Sequence, residues 1–334
     1  MSGLDSLLHR RPPTVWERFC DSPLLFLART AYSFSSNPST ALSVTAQDIS
    51  ASCIRIVCIS DTHNTHRHQP VLPDGDILIH AGDLTQSGTP AELADALAWL
   101  DEQPHQHKLL IAGNHDCALA DPAARTRILA AYPALVYLQD QATTVAVRGR
   151  ELRVYGSPRT PQHGGGAFHY PRAAPAVLGL APAEGEHDVE DVDLTAASSA
   201  VDVWARIPAL TDVLVTHGPP LAHRELDARV GCAALLAALW RVRPRLHVFG
   251  HVHAGRGVER ARWGAAQRAY DEICAGSGIG GWFALARLLV WVVVERIGAW
   301  WGFLDGDEGT VMVNAAAVGG TRDERKEGAV VVCI

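Results

Sequence analysis

The 334-residue chain is 48% hydrophobic and 19% charged, so it can bury a sizeable core and is not disordered throughout. Its formal net charge is −7 and Lys and Arg form no concentrated cluster, which argues against a nucleic-acid polymer as partner. The seven cysteines are odd in number and include no C-x-x-C pair, which excludes a zinc finger and a disulfide framework. Charged residues interrupt the first 20 positions, so we expect no secretory signal and a cytoplasmic location.

Short aliphatic runs bounded by Gly, Asp or Pro recur through the middle of the chain and predict buried strands. They are Ile54–Ile59, Asp76–His80, Lys108–Ala112, Thr143–Val147, Leu152–Tyr155, Val213–Thr216 and Leu246–Phe249. Helical patterns between some of them begin at Pro90 and at Gly231. This alternation of strands and helices predicts an α/β fold with functional residues at the strand ends.

Three segments fall outside this pattern. Residues 1–50 predict an N-terminal extension and linker, which leaves residues 51–334 as the main domain. Within that domain, the Pro- and acid-rich residues 171–200 predict a solvated loop, with a carboxylate metal site as the alternative. Residues 258–309 predict an apolar insertion late in the core.

Five short motifs carry the chemical signal, and each follows a predicted strand. In chain order they are Asp61-Thr62-His63, Gly82-Asp83, Gly113-Asn114-His115-Asp116, His217-Gly218 and Gly250-His251-Val252-His253. Glycines beside these residues let the backbone turn sharply as it leaves the sheet, so the side chains can converge on one rim. Carboxylate, imidazole and amide ligands together suit ions such as Mn, Fe and Zn. The sequence therefore predicts one metal site.

The motifs resemble the pattern of the calcineurin-like metallophosphoesterase superfamily, which is D-x-H, G-D, G-N-H-D/E, H and G-H-x-H in this order. The resemblance covers roughly Arg55 to Gly255. It implies a four-layer sandwich in which helices flank two mixed β-sheets, with a dimetal site at the carboxyl ends of the strands. It also implies that the domain at 51–334 is a metallophosphoesterase domain.

The same resemblance implies a role for each motif residue. Asp61, His63 and His253 would bind one metal, Asn114, His217 and His251 would bind the other, and Asp83 would bridge both. His115 would face the substrate as an acid or charge stabiliser, oriented by Asp116. The cofactors would be two divalent ions roughly 3.5–4 Å apart that clamp the ester and activate water. Mn, Fe, Zn and Ni all fit these ligands, and Mn is favoured.

The surroundings resemble one subgroup more closely, the metallophosphoesterase-domain-containing proteins of animals and fungi. The resemblance lies in THGPPLAHRE, the Gly156–Pro158 turn and VMVNAAAVGG. It implies hydrolysis of a small phosphodiester, such as a cyclic nucleotide, with Mn²⁺. The enzymatic alternative is a phosphomonoesterase, including a protein phosphatase. The non-enzymatic alternative is a binding scaffold with the same fold, as in a retromer subunit.

Three residues outside the motifs are weaker candidates for contact with the substrate. His223 and Arg224 follow the fourth motif, and Arg159 follows the Gly156–Pro158 turn. A surface ion pair with Glu225 is an equal alternative for the first two.

The segment 281–304 holds four tryptophans and the charge-free run Leu288–Val294. Arg287 and Glu295 interrupt it too early for a transmembrane helix, which needs about 18 largely uncharged residues. A helix packed on the domain, an oligomer contact and a peripheral membrane contact through 281–304 are the alternatives. We expect this segment to pack against the apolar stretch Val15–Ala31, or to share one apolar surface with it.

Overall fold

Two main β-sheets and eight α-helices make up most of the described part of the chain. The structure is a computed structural model. It describes residues 14–36, 53–162, 165–172, 194–225, 230–276, 278, 280–301, 309–319 and 324–334.

The strands are short, and their bounds follow the predicted aliphatic runs closely. They are β1 Arg55–Ile59, β2 Ile77–Ala81, β3 His107–Ile111, β4 Leu135–Tyr137, β5 Gln141–Val147, β6 Arg150–Ser157, β7 Thr160–Pro161, β8 His169–Tyr170, β9 Val213–Thr216, β10 Leu246–Phe249, β11 Gly257–Ala261, β12 Thr310–Asn314, β13 Val318–Gly319, β14 Arg325–Lys326 and β15 Val330–Cys333. All seven predicted strands are present.

The first sheet has the order β15-β1-β2-β3-β4, and the second has the order β11-β12-β10-β9-β6-β5. In the first sheet β1 to β4 are parallel and β15 is antiparallel to β1. In the second sheet β12, β10, β9 and β6 are parallel, and the edge strands β11 and β5 are antiparallel to their neighbours. Both sheets are mixed, and each has parallel central strands whose carboxyl ends lie at one edge.

The sheets pack face to face because alternate residues of their strands are apolar on both sides. Ile56 and Cys58 of β1 lie in the cluster between the sheets, together with Val213 and Val215 of β9. Val57 lies in a separate cluster on the outer side of the first sheet. Strands that are buried on both faces need a covering layer on each outer side.

Helices supply these outer layers. They are α1 Val15–Asp21, α2 Pro23–Ser36, α3 Pro90–Asp101, α4 Pro122–Leu129, α5 Leu194–Ala205, α6 Ala233–Val242, α7 Ala265–Ala275 and α8 Gly280–Trp300. α3 begins with a capping box between Thr89 and Glu92, and its residues Leu93 and Leu97 pack outside the first sheet. α6 packs outside the second sheet. This arrangement confirms the predicted four-layer sandwich.

The helices α2 and α8, which lie in the two predicted apolar segments, meet outside the second sheet. Leu25 and Ala28 of α2 share a buried cluster with Leu285 and Leu288 of α8, and α7 packs against both helices. The Ser35 hydroxyl also donates to the carboxylate of Glu295 in α8. The expectation that these segments pack together is confirmed. Among the described residues, no helix combines the length and apolarity needed to cross a bilayer.

Cysteine pairing departs from the sequence-based expectation in one place. A disulfide joins Cys53 to Cys333, whose Cα atoms are 5.7 Å apart where β1 and β15 pair. The cysteine pattern predicted no disulfide framework, and it gave no signal for this single pair. The two residues are 280 positions apart, and their proximity follows only from the pairing of the first and last strands.

The predicted domain boundaries are described only in part. Residues 37–52, between the N-terminal helices and the first sheet, and residues 173–193 of the predicted loop lie outside the described residues. α5 begins at Leu194, inside the segment 171–200. β11 begins at Gly257, one residue before the segment 258–309, and is an edge strand of the second sheet. The boundaries themselves stay predictions.

Candidate metal centre

Polar side chains gather where the parallel strands of both sheets end. They are Asp61 and His63 after β1, Asp83 after β2, Asn114 after β3, His217 after β9, and His251 and His253 after β10. The two sheets meet here, since Nδ1 of His217 lies 3.0 Å from the backbone oxygen of Ala81. The structure therefore brings the five predicted motifs to one rim.

The first cluster consists of Asp61, His63 and His253. Nε2 of His253 lies 3.4 Å from Oδ1 of Asp61 and 3.3 Å from Nε2 of His63. Asp61 is fully buried, and its two carboxylate oxygens accept from the backbone N–H of His251 at 3.0 Å. One ligand atom from each member lies within 4.8 Å of the others, so the three side chains could hold a metal ion.

The second cluster consists of Asp83, His217 and His251, with Asn114 beside them. Nε2 of His217 lies 3.2 Å from Oδ2 of Asp83 and 3.1 Å from Oδ1 of Asn114. The rings of His217 and His251 have their centroids 5.0 Å apart. When Nδ1 of His217 donates to the Ala81 oxygen, the lone pair of Nε2 faces the cluster, as a metal ligand requires.

Asp83 lies between the two clusters. Its Oδ2 is 3.2 Å from Nε2 of His217 in the second cluster and 3.6 Å from Nε2 of His63 in the first. Its Oδ1 accepts from the backbone N–H of His115 at 2.8 Å, which fixes the orientation of the carboxylate. Only 2% of Asp83 is exposed. The resemblance implies that Asp83 bridges two metals, and this role stays a prediction.

The backbone at this rim adopts a conformation that is unfavourable for most side chains. Asp61, His63, Asp83 and His251 have positive φ angles of 53°, 41°, 54° and 66°. The left-handed region costs a residue with a Cβ atom roughly 1–2 kcal/mol. Four candidate ligands are held in this conformation, which turns each side chain back toward the site.

Two glycines in the motifs are required because carboxylate oxygens approach their Cα atoms closely. A Cβ atom on Gly113 would overlap with Oδ1 of Asp83, and one on Gly250 would overlap with Oδ2 of Asp61. Neither glycine has a positive φ. The sequence predicts that these glycines let the chain turn, and the structure adds that they leave room for the carboxylates.

His115 faces the same site, but Asp116 does not orient it as predicted. Nδ1 of His115 lies 2.8 Å from the backbone oxygen of Gln86. The buried Asp116 carboxylate instead accepts from the backbone N–H groups of Gly113 and Thr85 at 2.8 and 2.9 Å. Asp116 thus holds two motif loops together, and the carbonyl of Gln86 is the orienting group. The sequence could not predict this partner, because every residue type supplies a backbone carbonyl.

Burial and neighbouring charges set the protonation of the site. Burial raises the pKa of Asp83, but the charge of His217 and its hydrogen bond lower this pKa below its usual value. Burial lowers the pKa of His217, and the charge of Asp83 raises it to about 9. Burial lowers the pKa of His251 to about 4, and the charge of His217 acts in the same direction. A cation that binds here therefore meets an ionised carboxylate and displaces a proton from His217.

Arg159 and Arg224, predicted as weaker substrate contacts, both have protein partners. Nε of Arg159 donates to Oδ2 of Asp140 at 3.0 Å, and a guanidinium nitrogen of Arg224 donates to the backbone oxygen of Arg256 at 2.7 Å. Glu225 accepts from backbone N–H groups of its own loop, among them that of residue 222 at 2.7 Å. Contact of either arginine with substrate stays a prediction.

His223 belongs to a buried polar network rather than to either cluster. It is fully buried, its Nδ1 is paired with Glu259, and its Nε2 lies 3.2 Å from Oδ1 of Asp271. Burial lowers the pKa of His223, but the charge of Glu259 and hydrogen bonds to both carboxylates raise it to about 10. Gln267 lies 2.8 Å from the same ring and accepts from Tyr32 of α2. This network, which the sequence did not reveal, links the N-terminal helix to the loop after His217.

A sequence model described as calcineurin-like phosphoesterase matches residues 54–255. The chain belongs to this family. The matched segment contains all the candidate ligands and His115. The predicted family is confirmed, and membership supports metal-dependent phosphoester hydrolysis.

Known relatives match the chain over different spans. A protein of Emericella nidulans named "Probable rhamnogalacturonate lyase C" is 42% identical over 339 residues, covering 99% of this chain and 29% of that protein. Metallophosphoesterase domain-containing protein 1 of Homo sapiens is 36% identical over 231 residues, covering 61% of this chain and 62% of that protein. The chain thus spans less than two thirds of either relative. The crystal structure of TT1561 of Thermus thermophilus superposes with a TM-score of 0.43 and 14% identity, covering 64% of this chain and 86% of that one.

Proposed function

We propose that this protein hydrolyses a phosphoester with two bound divalent cations, and that its substrate is a small phosphodiester such as a cyclic nucleotide. The observation that carries the proposal is the position of Asp83. One carboxylate oxygen approaches Nε2 of His217 at 3.2 Å and Nε2 of His63 at 3.6 Å, and so joins two donor clusters into one site.

The residues present fit two divalent cations. Asp61, His63 and His253 would hold one, Asn114, His217 and His251 the other, and Asp83 both. Potential ligand atoms lie 3.1 to 3.4 Å from one another in both clusters, an arrangement that a shared cation would stabilise. When bound, two cations supply Lewis-acid activation of the ester and of an attacking water. Mn²⁺ is our first choice of metal, because the resemblance implies it and carboxylate ligands suit it.

His115 would act on the leaving group. Its ring is half-buried, and the ring centroid lies 4.8 Å from that of His63 at the first cluster. Donation from Nδ1 to the Gln86 oxygen fixes the ring and leaves Nε2 toward the site. A histidine placed in this way can protonate a leaving oxygen or stabilise the charge that develops on it.

The charges around the site support a diester over a monoester. Asp61 and Asp83 pair with histidines, while Arg159 and Arg224 are held by Asp140 and by the Arg256 carbonyl. The cations themselves would then supply most of the positive charge that meets the phosphate. A singly charged diester needs less compensation than a doubly charged monoester, and this favours the diester.

Paired substrates test the proposal. Protein stripped with a chelator and reconstituted with Mn²⁺ is assayed on bis(p-nitrophenyl) phosphate, p-nitrophenyl phosphate and a panel of cyclic nucleotides. We expect a kcat/KM for the diester at least roughly tenfold above that for the monoester, equivalent to about 1.4 kcal/mol of transition-state preference. The chelated protein is the control and should be inactive.

Two results would redirect the assignment. A preference for the monoester would make the protein a phosphomonoesterase with the same two-cation site. Failure to turn over any phosphoester with both cations bound would favour the scaffold alternative, in which the fold serves binding alone. Metal analysis of the same sample shows whether both cations are bound, so that a lack of turnover is not confused with a lack of metal.

A further inference from the structure

One side of α8 is apolar and exposed, whereas the opposite side is apolar and buried. Ala284, Leu285, Leu288 and Val292 pack into the core with α2 and α7. The opposite side, here called the apolar face, consists of exposed Trp282, Phe283, Val290, Val293, Ile297 and Trp300. Phe283 is 74% exposed and Trp300 is 83% exposed. A helix that is apolar all round is normally buried all round, so this face calls for a partner.

The apolar face forms one continuous stripe. At 100° per residue its six members fall within roughly 100° of the helix circumference. α8 has 21 residues and is about 32 Å long at 1.5 Å per residue, with Trp282 near one end and Trp300 at the other. α2, which packs beside α8, adds Phe34, which is 64% exposed. The stripe is thus long and flat enough to lie along a surface.

Positive charge borders the stripe on both sides. Arg287 and Arg296 are both exposed, and on the same helical projection they lie on opposite sides of the apolar face, roughly 40° from its two edges. Glu295, the acidic residue of α8, turns inward to the Ser35 hydroxyl. The border that faces outward is therefore cationic.

A basic pocket continues this border beside Arg287. The cavity of about 380 Å³ is lined by Arg243, Arg268 and Arg287 together with Trp240 and Trp291. Arg268 stacks over the Trp240 ring at 4.5 Å from its centroid. Glu272 also lines the pocket and pairs with Arg287, so three guanidinium groups meet one carboxylate. The pocket has the charge and size to receive a phosphate headgroup.

We propose that α8 docks the protein on the surface of an anionic phospholipid bilayer, with the apolar face in the headgroup region and the arginines against lipid phosphates. Tryptophans favour this depth, and arginines bordering an apolar helix face are typical of helices that lie in the membrane plane. A second copy of the chain fits less well. Pairing two such faces would set arginines against arginines, since Glu295 faces inward.

Vesicle flotation of the full chain tests the docking. Vesicles of phosphatidylcholine are compared with vesicles that also contain phosphatidylserine, at low and at physiological salt. We expect flotation with the anionic vesicles, weakened by salt because exposed charges are screened. Phe283→Ser combined with Val290→Ser should weaken partitioning by more than roughly tenfold, because two apolar side chains no longer leave water. Arg243→Gln combined with Arg296→Gln should weaken it for anionic vesicles alone.

Matched controls are exposed apolar residues elsewhere on the protein. Val71 is 95% exposed and Leu210 is 67% exposed, and both lie outside the helices of this surface. Val71→Ser combined with Leu210→Ser should leave flotation unchanged. All these variants alter exposed side chains and should keep the fold, which circular dichroism and the melting temperature check.

Three outcomes would overturn the proposal. The first is that the protein floats with neither kind of vesicle. The second is equal flotation with neutral and anionic vesicles, which would remove the role of the arginines. The third is a dimer in light scattering that Phe283→Ser converts to a monomer, which would make the apolar face an interface between copies of the chain.

Discussion

Replacing Asp83 by Asn tests the central feature of the site, a carboxylate shared by two clusters. The substitution keeps the shape of the side chain and an oxygen that can accept from the His115 backbone N–H, now 2.8 Å from Oδ1. It removes the negative charge that lies 3.2 Å from His217 and 3.6 Å from His63. The fold should survive, because the apolar core between the sheets does not include this residue.

The expected loss follows from the ligand sets. Asp83 lies between the two clusters and would serve both cations, so in Asp83→Asn each cation would meet a neutral amide oxygen in place of the common anion. Lewis-acid stabilisation of a transition state is worth several kcal/mol, and about 4 kcal/mol corresponds to a 10³-fold change in rate. We therefore expect turnover to fall at least about 10³-fold and bound metal to fall at both positions.

Metal analysis and turnover are measured on the same samples, with two comparison variants. Asn114→Ala touches the second cluster alone and should keep the cation of the first. Asp212→Asn removes a half-buried carboxylate that accepts from Arg153 just before β9, at the opposite end of the strand from His217, and should change neither quantity. The bridging role is wrong if Asp83→Asn keeps two cations and full turnover, or if Asn114→Ala loses as much metal as Asp83→Asn.

Three further predictions concern catalysis, packing and pH. His115→Ala should keep both metals and lose about 10²–10⁴-fold in kcat, and metal loss in this variant would make His115 a ligand. Leu288→Ala, in a fully buried position, should lower the free energy of unfolding by about 2–5 kcal/mol in denaturant titration, whereas Leu289→Ala, 50% exposed, should lower it far less. Equal losses would contradict the packing of α8. The fold raises the pKa of His223 to about 10, so the protonated side chain stabilises the folded state. This stabilisation is present in full below the pKa of histidine in the unfolded chain, near 6.5, and is lost as pH rises through 10. The stability difference between wild type and His223→Gln should therefore shrink between pH 7 and 10.5, and a constant difference would show that His223 is not charged in the fold.

The strands and the gathering of the motifs at one rim could be predicted because both leave local signals. Aliphatic runs such as Leu246–Phe249 are buried on both faces of their sheet, so the strand stands out from its polar neighbours. The candidate ligands follow such runs by a few residues, and parallel strands bring their carboxyl ends together. Neither prediction required knowledge of a contact between distant parts of the chain.

What could not be predicted depends on long-range contacts. The disulfide between Cys53 and Cys333 exists because β1 pairs with β15 across nearly the whole chain. The charges on His223 and Glu259 meet only when α2, α7 and β11 pack around one loop. For His115 the orienting group is a backbone oxygen of Gln86, which any residue type could supply.

Four candidate ligands at this rim share one costly backbone conformation, and this favours a metal centre. After glycine, asparagine, aspartate and histidine adopt the left-handed region most often, although at a cost, and Asp61, His63, Asp83 and His251 occupy it here. At Arg148, by contrast, a positive φ belongs to the tight turn between β5 and β6, where the conformation follows from the hairpin. No such local reason places aspartate and histidine at four neighbouring points of one site. Their side chains must contribute something that offsets the backbone cost, and shared coordination of cations is a contribution that carboxylate and imidazole groups can make together.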